Sequence, residues 1–146
     1  MHTWLRVLVA VAIGLTPAAA AAGPPIALSF DILNTLKVAY YPVQVMAYCY
    51  KAVQQNAKYQ TVGSNWLKRN QDLLTQLEAK AKDARISNTL RVQADQETLD
   101  AIQKTVASQF DKIAYCGLIS SVIDGGGFDL NVRADLKEPL KRIFPQ

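Results

Sequence analysis

From Ser29 to the C-terminus, apolar residues recur at three- and four-residue steps, the period of a helix with one buried face. The pattern is clearest after Val38. Val38, Tyr41, Val45, Cys49, Ala52 and Tyr59 fall on one stripe, and Tyr40, Gln44, Lys51, Gln54, Gln55 and Lys58 fall opposite. This predicts a first helix capped by Ser29, passing through Phe30, Leu33 and Leu36, and closed by Gly63 just past its end. Pro42 interrupts the pattern, because proline removes a backbone donor and disfavours the helical region for Tyr41. Either the helix kinks there or a new one starts with Pro42 in its first turn. Gly23 to Ala27, with two prolines, reads as a short extended leader.

Ser64 is the expected cap of a second helix, with the stripe Trp66, Asn70, Leu73, Leu74, Leu77, Ala81 and Ala84. Glu78 and Lys82 have the spacing of a favourable surface pair. A turn over Ile86 to Thr89, capped by Ser87 or Asn88, leads into a long third helix. Its stripe is Val92, Leu99, Ile102, Val106, Phe110, Ile113 and Gly117. Past Cys116 the chain is apolar all round, which predicts burial on every side. Asp124 and the glycines at 125, 126 and 127 stop it. Asp135 and Glu138 have capping-box spacing for a short last helix lined by Leu136, Leu140 and Ile143. The predicted fold is all-α: a small bundle of three long helices plus a short C-terminal helix, in one domain over 23–146.

The first 22 residues do not fit that pattern. Arg6 supplies a positive start, Val7 to Leu15 is apolar, Pro17 breaks the run, and Ala18 to Ala22 offers small residues for cleavage. Residues 1–22 are therefore expected to be a cleavable signal peptide. The apolar run is shorter than the roughly 20 residues that span a bilayer. The expected location is periplasmic or secreted, with no transmembrane segment after signal removal.

Charge and composition then exclude chemistry. The chain has 16 Lys and Arg against 12 Asp and Glu, and its only histidine is His2. Cleavage would remove Arg6 and His2, leaving a net charge of about +3, which suits but does not require an anionic surface. A mature chain without histidine cannot build a Ser-His-Asp or Cys-His site, nor offer an imidazole to a metal. There is no C-x-x-C for redox or haem attachment. No enzyme activity, cofactor or metal is expected, and nucleic acid is not among the expected partners. The Gly125 to Gly127 run lacks the following lysine and preceding strand of a phosphate loop.

Cys49 and Cys116 are an even pair in an exported chain, so a disulfide is expected between them. If the first and third helices run parallel, the two cysteines lie at depths differing by about 7 Å, counted back from Gly63 and Gly125 at 1.5 Å per residue. A modest tilt would close that gap.

Two groups are candidates for binding. Trp66, Arg69 and Asn70 sit within little more than one turn, and Trp and Arg are common anchors of interfaces, so the cluster could grip a carboxylate or an aromatic group. The plainer reading has Trp66 sealing the core, Arg69 lying across it and Asn70 bonding a neighbouring backbone group. Tyr40 and Tyr50 fall on the outer side of the first helix by spacing and would form a surface patch. The outline resembles that of small periplasmic helical proteins, among them immunity proteins that neutralise secreted cell-wall enzymes, in architecture and not in any motif. The function expected is an exported, non-enzymatic protein-binding module (inhibitor, immunity or accessory protein) whose partner is another envelope or secreted protein. The alternative is a helical protein of the envelope surface or of lipid.

Overall fold

The computed structural model describes residues 25–146; the predicted signal peptide, residues 1–22, lies outside them. The described residues form helices and turns with no strand. The elements are α1 (Ile26–Ala52), α2 (Ala57–Asp83), α3 (Asn88–Ala107), α4 (Lys112–Asp124), a 3₁₀ turn (Ala134–Leu136) and α5 (Lys137–Ile143). The all-α expectation holds, but four long helices and a short one replace three long helices and a short one.

α1 begins at Ile26, directly after Pro25, and not at a Ser29 cap. It runs unbroken through Pro42, whose ring is buried. α1 is the central element, contacting α2, α3, α4 and α5. Ile32, Leu36, Ala39, Val45, Met46 and Cys49 are buried along it, while Tyr40, Tyr41 and Gln44 are half-buried. A helix covered from several directions has no clean polar face, which is why the single stripe drawn from Val38 captured only part of its core.

The first correction concerns where α1 ends. It stops at Ala52, and the turn is made by Gln54 and Gln55, both in the left-handed region with φ of 50° and 53°. Asn56 then caps α2, its side chain accepting from the Lys58 N–H at 3.0 Å. Gly63 lies inside α2 and is buried, with Met46 as its neighbour. Ser64 is therefore no cap. Downstream, the expected face of α2 is the observed one: Trp66, Asn70, Leu74, Leu77 and Ala81 are all buried. At its end, Arg85 takes φ of 54° while the Ile86 N–H reaches the Ala81 carbonyl and the Arg85 N–H reaches Lys82, a Schellman closure.

The second correction splits the third helix. α3 stops at Ala107, and Asp111 starts α4 by accepting from the Ala114 N–H at 2.9 Å. Ser87 caps α3, as one of the two expected caps. The buried line of α3 is Ala94, Thr98, Ile102 and Val106, whereas Val92 and Leu99 face solvent. Phe110, expected in the core, is 108% exposed in the connection. α4 is not buried on every side: Cys116, Ser120 and Ile123 point inward, while Ile113, Leu118 and Val122 are exposed. It does close at the glycines. Gly126, at φ of 84°, provides the left-handed residue, and the Gly127 N–H returns to the Val122 carbonyl. Leu136 and Ile143 bury the C-terminal segment against the core, with Leu140 partly buried beside them.

Cys49 and Cys116 form the disulfide, with Cα atoms 5.7 Å apart, joining the last turn of α1 to α4. α1 ends at Ala52 rather than at Gly63, and α3 ends at Ala107 before Cys116, so the bond joins α1 to the separate helix α4 rather than two parallel long helices at matched depth.

Candidate functional site

The Trp66, Arg69 and Asn70 cluster is occupied by the chain itself. These residues lie on the face of α2 that meets the segment following α4. The Trp66 indole N–H donates to the Phe128 carbonyl at 3.0 Å. Arg69 donates through Nε to both Asp129 oxygens, at 3.0 and 3.3 Å, and through Nη2 to the Ile123 carbonyl at 2.6 Å. That second bond places a cation at the C-terminal end of α4, where it is favoured by the helix dipole. Asn70 uses both ends of its amide: Nδ2 donates to the Trp66 carbonyl and to Asp129 Oδ1, and Oδ1 accepts the Leu130 N–H at 2.8 Å. The carboxylate gripped by this cluster is thus Asp129, and the three side chains latch residues 128–130 to α2.

Tyr40 and Tyr50 are not brought together on an outer face. Both are half-buried and packed against the core. Tyr40 donates its hydroxyl to Glu78 Oε1 at 2.9 Å, and Arg91 makes two 2.6 Å bonds to the same carboxylate. One residue each from α1, α2 and α3 therefore meets in a polar triad, and Glu78 pairs with Arg91 rather than with Lys82. Burial pulls the Glu78 carboxyl upward, but hydrogen bonds from Arg91 and Tyr40 outweigh it and hold the group below its ordinary range. Burial first, and then the neighbouring Glu78, push the Tyr40 phenol up to about 12. Tyr50 lies along a groove between α1 and α2 with Tyr59 and Leu67.

The latched segment also builds a cleft. Phe128 and Arg133 form one side of a space of about 450 Å³, with α1 and α3 supplying Lys37, Val38, Tyr41 and Glu97. The rings of Tyr41 and Phe128 stack with centroids 5.9 Å apart, and the Arg133 guanidinium lies 5.4 Å from the Phe128 centroid. Lys37 and Glu97 pair across the mouth at 2.7 Å. Burial, followed by the hydrogen bond with the adjacent Tyr115 hydroxyl, raises Tyr41 to about 12. A second, wider groove of about 830 Å³ near the C-terminus is lined by Arg133, Lys137 and Lys141 over Leu130, Leu140 and Phe144.

The remaining feature is the outward face of α4. Ile113, Leu118 and Val122 are exposed, Phe110 precedes them, and Gly117 has open space where a side chain would stand. Residues 113 to 123 contain no charge. Both this face and the cleft escaped sequence reasoning. An apolar run predicts an interior helix whether or not anything covers its outer side, and the cleft depends on Arg133, whose position follows from the latch rather than from any local pattern. The Asp111-x-x-Ala114 spacing was the signal that could have separated α4 from α3.

Among the described residues no group of three or more acidic, cysteine or histidine side chains is placed to hold a metal ion. No helix of the described residues is long and apolar enough to cross a membrane. Comparison with known protein families, with curated proteins and with solved structures finds no match for this chain.

Proposed function

We propose that this chain is an exported, non-enzymatic protein-binding module that presents α4 to another envelope or secreted protein. The observation that carries the reading is the uncharged outer face of α4, with Leu118 67% exposed and Phe110 fully so. Loss of charge around exposed large apolar side chains is the compositional mark of an interface core. The Cys49–Cys116 bond ties α4 to the central helix, so the face is carried on a fixed element and loses little freedom on docking. A structural disulfide also suits an oxidising compartment outside the cytosol.

The test is photo-crosslinking in cells of the source organism, with a photoreactive residue at Leu118 or, as a control, at exposed Gln96 on α3. A discrete adduct with one foreign protein from position 118, absent from position 96, is the expected result. Adducts at both positions alike, at neither, or only with a second copy of the chain would count against this reading.

A second reading, docking on an anionic envelope surface, has its own observation. Three cationic side chains, Arg133, Lys137 and Lys141, and no acidic side chain line the C-terminal groove, with Arg133 and Lys141 paired to Asp135 and Glu138 at its edge. Flotation with vesicles rich in phosphatidylglycerol tests it, and protein left wholly in the soluble fraction would exclude it.

A further inference from the structure

The groove between α1 and α2 shares no residue with the outer face of α4 or with the C-terminal groove. The two helices are joined by the short turn at 53–56 and run antiparallel. Each gives the groove positions at helical spacing: Val43, Ala47 and Tyr50 from α1, and Tyr59, Gly63 and Leu67 from α2. Met46 and Gly63 are buried beneath it. The space is about 390 Å³, within the range of ligand pockets.

The groove is polarised along its length. Val43 and Leu67 close one end, and Tyr50, Lys51, Tyr59 and Gln60 stand at the other. From Val43 to Lys51 is about 12 Å along a helix. The polar end is uncommitted. Tyr59 is 4% exposed, yet among the described residues its hydroxyl makes no hydrogen bond, and neither does that of Tyr50. Lys51 has no acidic partner among the described residues, whereas Lys37 and Arg133 of the cleft beside Phe128 are paired with Glu97 and Asp135. No acidic side chain lines the groove, so its one charge is an open cation at the end of an apolar trough. An ammonium and a phenol O–H together suit a carboxylate, which only accepts. A sugar would need directed polar groups along the floor, where Val43, Met46 and Leu67 offer none.

We infer that this groove binds a single-chain alkyl carboxylate, its chain along Val43, Met46 and Leu67 and its carboxylate between Lys51 and the Tyr59 hydroxyl. Gln60 and Ser64 keep the rim polar without adding a competing charge.

The probe is decanoate, with decyltrimethylammonium as its cationic counterpart and butyrate as its short one, titrated into the purified protein and followed by amide chemical shifts and calorimetry. Saturable binding of decanoate is expected, with shifts centred on Val43, Ala47, Gly63 and Leu67. The cation should bind about tenfold more weakly, and butyrate about a hundredfold more weakly because most of the apolar chain is missing. Lys51→Met should weaken decanoate by about tenfold, and Lys104→Met, which removes an exposed cation on α3, should not. Tyr59→Phe should weaken it by about fivefold and leave the denaturant midpoint unchanged, since that hydroxyl has no partner to lose. Ala47→Trp, which fills the groove from its exposed rim, should abolish binding. Circular dichroism checks that fold; should this variant not fold, the shift map and Lys51→Met decide. Equal affinity for decanoate and decyltrimethylammonium, or unchanged binding by Lys51→Met or Tyr59→Phe, would overturn the carboxylate assignment. Butyrate binding as tightly as decanoate, shifts centred outside the groove, unchanged binding by a folded Ala47→Trp, or no saturable binding at millimolar decanoate would overturn the site.

Discussion

The guanidinium of Arg133 donates to the carbonyl of Val38, at 3.4 Å, across 95 residues of sequence. Val38 stands four residues before Pro42, and in an unbroken helix the amide of residue 42 would be its partner. Proline has no such amide. The carbonyl left open by Pro42 is therefore answered from the C-terminal segment, which explains how a buried proline persists in the middle of the 27-residue α1. Arg133 also pairs with Asp135 and lies over Phe128, so it joins three parts of the fold.

This relationship predicts non-additivity. Arg133→Met should lower stability by about 1–2 kcal/mol through the lost hydrogen bonds and ring contact. In a Pro42→Ala background the helix supplies its own donor to Val38, so the cost of Arg133→Met should shrink by about 0.5–1 kcal/mol. Urea unfolding of the four proteins measures the coupling. Strict additivity would mean that Val38 gains nothing from Arg133.

The disulfide closes a loop between residues 67 apart. Chain entropy values such a closure at about 4 kcal/mol, so a Cys49→Ser, Cys116→Ser variant should unfold at markedly lower denaturant. Intact mass should be two hydrogens lighter before reduction than after. Two free thiols in the exported protein would refute the bond.

Glycine and left-handed positions show where sequence legibility ended. α2 was readable from Trp66 to Ala81 because it has one wet face and one dry face. Its start was not, since the turn before it is made by two glutamines in a conformation glycine normally supplies, while Gly63 sits mid-helix and mimics a stop. α1 was obscured by cover on several sides, and the α3–α4 break by an apolar run that continues across it. The cluster at Trp66, Arg69 and Asn70 was visible as a group, but its partner Asp129 lies 60 residues from Arg69 and only the fold names it. Two substitutions follow. A methyl group at Gly63 would meet Met46 Cβ at 3.5 Å, an ordinary contact, so Gly63→Ala should stabilise by about 0.5–1 kcal/mol. Arg85→Gly should do so by about 1 kcal/mol, by relieving the left-handed residue at the end of α2. A fall in melting temperature for either would contradict the local geometry described.

Asn70 is the member of the latch whose loss should be felt most. It is buried and is the acceptor for the Leu130 N–H. Asn70→Ala would leave that amide without its partner, and a cost of about 2–3 kcal/mol is expected. Hydrogen exchange gives the local readout: the Leu130 amide should exchange faster relative to core amides of α1. Unchanged protection at Leu130 would show that another group holds the segment.

Alkaline pH should unfold the protein through two phenols on α1. Tyr40 and Tyr41 are each raised from 10.0 to about 12, in both cases by burial first. The adjacent Glu78 adds to Tyr40, and the Tyr115 hydroxyl to Tyr41. A raised phenol favours the neutral form in the native state. Between about pH 10 and 12 the unfolded chain therefore holds fewer protons at these sites than the folded one, and stability falls as pH rises. The contribution is complete below pH 10 and lost as pH passes through 12. Absorbance at 295 nm should show a component ionising near pH 12 from Tyr40 and Tyr41, with denaturant midpoints falling over the same interval. Tyr40→Phe should remove one late ioniser and make the fall shallower. If Tyr40→Phe and Tyr41→Phe each remove absorbance change near pH 10 rather than near 12 while the protein is still folded, the burial of this tyrosine pair against α2 and α4 is not as described.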